Sequence, residues 1–150
     1  LLAGLIAPAA EELLFRRLLL RRLRPYGERF ALVASALCFG LFHGNLNQFF
    51  YAFLLGLVLA ELALSTGCLW QAVLLHALVH LFSILWGWLG GPVVVTGVLM
   101  LAGAMVPFRL IPALLAGPDA ERGTWRRFLT SPGVLCFGAL SLSLALSYLI

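Results

Sequence analysis

Lysine is absent, charge is scarce and polar stretches are few, and each shortage excludes something. Charged residues make up 11% of the 150 and hydrophobic ones 63%, with a mean hydropathy of +1.05. A water-soluble domain carries roughly a quarter charged residues and is about half apolar, so the composition argues against a soluble fold. The three cysteines, Cys38, Cys68 and Cys136, are scattered and never in C-x-x-C spacing, which supports neither a disulfide framework nor a thiolate metal site. G-x-S-x-G and H-E-x-x-H do not occur, removing the serine nucleophile elbow and the helical zinc pair.

What is there is apolar sequence in long runs. A span needs about 20 apolar residues, so the length holds five or six crossings and little else. Breaks at Pro25 and Gly27, at Gly44, Asn45 and Asn47, and at Ser65, Thr66 and Gly67 divide the chain. The segments are Leu1 to Leu23, Phe30 to His43, Phe49 to Leu64, Leu69 to Trp88, Pro92 to Leu115 and Gly133 to Ile150. The expectation is an all-α, polytopic transmembrane bundle of about six helices, a single membrane domain over 1–150. The opening at Leu1, with no basic leader before the first apolar run, reads as a piece of a longer protein rather than a signal peptide.

The net charge of +4 comes from arginine alone, and six of the ten arginines lie between Arg16 and Arg29. Flanked by lipid-like segments, that cluster fits a membrane boundary rather than a nucleic acid. Arg122, Arg126 and Arg127 make the polar stretch from Asp119 to Arg127 basic too. Arginine-rich short loops stay in the cytoplasm, and the four segments between the two basic stretches return the chain to one face.

Ionisable residues inside spans cost about 2.5–3.5 kcal/mol each on insertion scales, so they are usually functional. Glu12 and Arg16 are four apart, an acid before a base, and should pair. Glu11 points elsewhere, with Leu14 and Phe15 at its helical neighbours, and is the carboxylate available to take a proton from water. The alternative is that both acids cap a helix end and reach for the arginines. His43 follows Phe39 by one turn beside a Gly-Asn turn, where an imidazole can also be a plain interface residue. His76 and His80 project from one face about 6 Å apart along the axis; a hydrogen-bonded helix contact is the bland option for them. At 1.5 Å per residue, Glu11, His43, His76 and His80 all fall in one half of the membrane, so a polar cavity open to the cytoplasm could collect them. A carboxylate that activates water and imidazoles that stabilise an oxyanion suit hydrolysis.

Three runs, E-E-L-L-F-R at Glu11 to Arg16, F-G-L-F-H at Phe39 to His43 and H-A-L-V-H at His76 to His80, stand in order on successive segments, with T-G-C-L-W-Q-A before the last. They resemble the signatures of the CPBP or Abi family, which groups CAAX prenyl proteases with bacteriocin-processing and self-immunity proteins. The resemblance covers roughly Leu1 to Leu85, and sets a family-like core of about 1–90 apart from further membrane helices over 92–150. It implies an intramembrane endopeptidase in a bacterial plasma membrane, acting on a peptide or protein that is prenylated or membrane-associated. Glu11 would be the water-activating base, His43 would hold the water, and His76 and His80 would line the oxyanion site. Glu12 and Arg16 would be an orienting pair, with Phe39 in support. The family commonly has Asn where this chain has His80. Histidine also binds metal, so Glu11, His43, His76 and His80 could hold a divalent ion such as zinc. A proton or metal-ion carrier would use the same groups but needs a polar path to the far side. A non-catalytic immunity or scaffold protein would need no free acid.

Overall fold

The structure, a computed structural model, describes residues 2–88 and 120–147. Within them the chain is helical, with no strand. The first helix, α1, runs over 2–23 and changes its winding along the way. Leu2–Ile6 is π-wound, Ala7–Glu12 is α-wound, Leu13–Leu20 is π-wound again and Arg21–Leu23 returns to α. Pro8 sits just inside the first α-wound turn, where a residue with no N–H removes one bond of the ladder. Glu11 and Glu12 end that α-wound turn, at the switch to the wider π winding that recurs at functional sites.

A 3₁₀ turn, Arg24–Tyr26, and Gly27 at φ +130° lead into α2, Glu28–Phe42. The helix α3, Leu46–Thr66, starts three residues earlier than the sequence suggests, because the Asn45 side chain accepts from the Asn47 backbone N–H at 2.8 Å and caps it. Asn47 therefore lies in the first turn of α3 and not in the preceding bend. At the other end, Ser65 and Thr66 stay helical by donating to the Leu62 carbonyl, and Gly67 at φ +67° closes the helix. The next helix, α4, is Leu69–Trp88, as expected from sequence. The basic stretch after Asp119 is not wholly a loop, since Thr124–Leu129 forms a short helix, α5, that carries Arg126 and Arg127. The last, α6, is Pro132–Ser147. The expected segment from Pro92 to Leu115 lies outside the described residues.

Two helices, α3 and α4, are long and apolar enough to cross a membrane by length and composition; α6 is apolar but shorter. At 1.5 Å per residue the 15-residue α2 reaches about 22 Å, less than a hydrocarbon layer of roughly 30 Å. Along α4, Trp70, Leu74, Leu78, Leu81 and Leu85 face outward while Ala72, His76 and Ala77 are buried. Apolar outside and ionisable inside is the arrangement of a lipid-facing helix.

The core lies where α2 crosses α3, and small residues set its closeness. A Cβ on Gly56 would come within 3.1 Å of the Ala36 Cα and the Phe39 ring, so backbone meets backbone there, as in membrane helix pairs. Leu32, Leu55, Leu59 and Leu20 of α1 fill the neighbouring space. Phe30 at the start of α2 meets the edges of Trp125 and Phe128 on α5. A cavity of about 640 Å³ is bordered by Arg24, Gly27 and Glu28 from one basic stretch and by Glu121 and Thr124 from the other. Both stretches thus lie at one end of the molecule.

Candidate active site

Three of the ionisable residues singled out, Arg16 of α1, His43 at the end of α2 and His76 of α4, surround one side chain, Phe39. Its ring is fully buried and meets the edges of His43 at 5.1 Å and His76 at 5.5 Å between centroids, with the Arg16 guanidinium 4.9 Å away over its face. Phe15 packs against the same ring at 5.2 Å. Phe39 is thus the spacer that fixes α1, α2 and α4 around the polar groups.

The i, i+4 pair forms. The Arg16 Nε donates to Glu12 Oε2 at 2.8 Å, with both side chains wholly buried. Arg16 Nη1 donates to the Ser35 hydroxyl at 3.0 Å, and Ser35 donates to the Phe15 carbonyl at 3.1 Å. Charge buried at this depth is tolerated when paired and hydrogen-bonded. Glu12 does more than the spacing on α1 could reveal. Its other oxygen, Oε1, accepts from His76 Nδ1 at 3.0 Å, across 64 residues of sequence. One carboxylate therefore bridges the arginine of its own helix to the imidazole of α4.

That bridge orients His76. With Nδ1 committed to Glu12, Nε2 is turned toward Glu11 Oε2, 3.8 Å away. Neither of these two atoms has a hydrogen-bond partner among the described residues, although both are buried. Glu11 keeps 16% of its side chain exposed, against none for Glu12. The imidazole of His80 stands edge-on to His76 at 4.8 Å between centroids and is half-buried. His43 lies within electrostatic reach of Glu11, and its Nδ1 is 2.9 Å from the Phe39 carbonyl. A carbonyl only accepts, so Nδ1 carries the proton and Nε2 of His43 is left as an acceptor.

Sequence reasoning did not reach Ser35 or Tyr51. Ser35 precedes Phe39 by one turn on α2, so a lone hydroxyl on the face that carries the motif was the available signal. Tyr51 of α3 is half-buried and within electrostatic reach of Glu11; it is a phenol about two turns past the Asn45 turn, at the start of the helix's long apolar run.

The four side chains put forward as metal ligands are not drawn into a ligand cluster. The two nitrogens of His76 face different carboxylates, so an ion on one nitrogen would not share both acids. Among the described residues no group of three or more His, Cys, Asp or Glu side chains is placed to hold a metal ion. The arrangement does not fit a zinc site. Two cavities, the 640 Å³ one and a smaller one at Arg16 and Arg21, lie at the basic end, and neither is lined by Glu11, His43, His76 or His80.

Residues 1–82, which carry all three motifs, match the family model described as type II CAAX prenyl endopeptidase, Rce1-like. The chain belongs to this family. Its members are intramembrane endopeptidases of the CAAX protease type, and as an Rce1-like chain this one is an integral membrane peptidase. No curated protein and no solved structure matches it. The Rce1-like match ends within α4, two residues past His80, so α1 to α4 carry the matched part and α5 and α6 lie beyond it.

Proposed function

We propose that the protein hydrolyses a peptide bond within the membrane by a glutamate-type mechanism, with Glu11 as the base that activates water. The observation that carries this reading is the facing pair, Glu11 Oε2 and His76 Nε2, buried, 3.8 Å apart and otherwise without partners among the described residues. Across a polar separation above about 3.5 Å a bridging water is the contact to look for. Water bound there would donate to Glu11, and Nε2 of His43 is the second acceptor that can fix its orientation.

The chemistry then balances without further groups. As the water oxygen bonds to the substrate carbonyl carbon, its proton passes to Glu11 and negative charge moves to the carbonyl oxygen. An N–H of His80 meets that oxyanion, and His76 does so through Nε2 when its ring carries both protons, Nδ1–H being held by Glu12. The carbon–nitrogen bond breaks as Glu11 returns the proton to the departing amine, leaving a free amine and a carboxylic acid that then loses its proton to water. Glu12 holds His76 in register by its Nδ1, as a buried carboxylate does for a catalytic imidazole, and Arg16 holds Glu12 in place. No step is routed through a metal.

In this reading the catalytic core is about residues 1–90, with further membrane helices over 92–150. The basic ends face the cytoplasm of a bacterial plasma membrane, and the site opens to that side. The substrate is a membrane-associated peptide or protein, and the family's description favours a prenylated C-terminus. The test is a library of prenylated and unprenylated peptides given to detergent-purified protein, with products identified by mass spectrometry, with and without a chelator. Cleavage that prefers prenylated peptides and persists in chelator is expected. Cleavage abolished by chelator and restored by zinc would move the mechanism to a metal, and no cleavage of any peptide would defeat the reading.

A further inference from the structure

A second polar feature lies outside the site, at the basic end of α1. A cavity of about 90 Å³ is walled on one side by Arg16, Arg17, Arg21 and Arg24, and on the other by Ala63 and Gly67 at the close of α3 and Leu69 at the start of α4. Two of the four guanidiniums are neutralised locally, Arg16 by Glu12 and Arg24 by Glu28 at 3.4 Å. Arg17 and Arg21 have no carboxylate within 4 Å among the described residues, and both are exposed. Arg16 also holds one buried nitrogen, Nη2, that no group among the described residues accepts from.

Like charges one turn apart repel, so this wall is an unfavourable surface unless something negative occupies it. The opposite wall is mixed, since Leu69 opens a 20-residue helix whose first backbone N–H groups carry the positive end of its dipole, while Ala63 and Gly67 stand at the negative end of α3, so the attraction for an anion comes from the arginines. Position narrows the ligand. Gly67 and Leu69 mark the shared end of the two membrane-length helices α3 and α4, which is the depth of lipid headgroups. A single water needs roughly 10–15 Å³ of such space, so the cavity admits a tetrahedral phosphate with solvent beside it. Guanidinium groups match phosphate oxygens in paired hydrogen bonds.

We propose that this cavity binds a phosphate group at the membrane boundary, with Arg17 and Arg21 as its principal contacts. The cavity shares Arg16 with the support of the hydrolytic site but does not depend on the reaction assigned to that site.

The test is thermal unfolding of the full chain in a neutral detergent, titrated with dioleoylphosphatidylglycerol, dioleoylphosphatidylcholine or inorganic phosphate. Wild type is compared with Arg17→Gln/Arg21→Gln and with Arg22→Gln/Arg126→Gln, which removes the same charge from exposed positions off the cavity wall. Each protein's own ligand-free Tm is its baseline. The expected result is a saturable rise with phosphatidylglycerol in wild type and in the Arg22/Arg126 variant, with half-saturation at least tenfold higher in the Arg17/Arg21 variant. If inorganic phosphate alone saturates the response with the same variant dependence, the bound group is free phosphate; if only the lipid does so, it is a headgroup. An equal rise with phosphatidylcholine, no rise in wild type, or equal loss in both double variants would overturn the proposal.

Discussion

Replacing Arg16 with methionine is expected to destabilise the protein by about 3–5 kcal/mol, the cost of leaving one member of a buried ion pair without the other. Methionine keeps most of the side chain's volume, so lost packing is a minor part of the effect. What is lost is the 2.8 Å bond to Glu12, the 3.0 Å bond to Ser35 and the charge that faces Phe39. Glu12 is then buried with only His76 to oppose it. Thermal unfolding in detergent reads the effect directly. A companion variant separates charge from mechanism. Glu12→Leu combined with Arg16→Met removes both charges, and buried pairs replaced together by apolar groups are often neutral in stability. That double variant should regain much of the lost stability yet stay inactive, because nothing then holds His76 Nδ1.

Glu11→Gln should do the opposite. The substitution preserves shape and removes the ability to accept a proton, so cleavage should fall at least about a hundredfold, within the 10²–10⁴ that a positioned general base contributes. Stability should change little, since Glu11 is partly exposed and the His76 nitrogen it faces is 3.8 Å away. The loss should appear in kcat rather than KM, because proton abstraction belongs to the transition state and not to substrate binding. Steady-state cleavage of the best peptide from the library measures both constants.

These two variants divide the neighbouring acids into separate roles, and that division was legible in the sequence. The four-residue spacing of Glu12 and Arg16 names the structural acid, and the apolar neighbours of Glu11 name the free one. The pairing of His76 with His80 on one face, and the extent of α4, were legible for the same reason: helical periodicity is local. The link from Glu12 to His76 was not, because it joins positions 64 apart and depends on how α1 packs on α4. The choice of nitrogen on each imidazole follows from that packing too. The π winding of Leu13–Leu20 has no marker in an apolar run, so the orientation of side chains beyond the acidic pair was out of reach. The span count was legible only in part. Hydropathy sees apolar length, which α3 and α4 satisfy, but the turn residues that stop α2 at 15 residues leave an element shorter than a full crossing.

A departure at position 80 follows from the same geometry. Where the resemblance sets Asn, His80 packs its ring edge-on to His76, so in the proposed mechanism the oxyanion wall would be built from two imidazoles on consecutive turns of α4.

The central claim is that Glu11 and His76 work as one unit on one water. A double-mutant cycle on kcat/KM with Glu11→Gln and His76→Asn, in proteins shown to be folded, tests it most directly. Groups that act as a unit are strongly non-additive, so the double variant should be no slower than the worse single one, within about threefold. Independent, multiplying losses, or a Glu11→Gln protein that cleaves at the wild-type rate, would contradict the account.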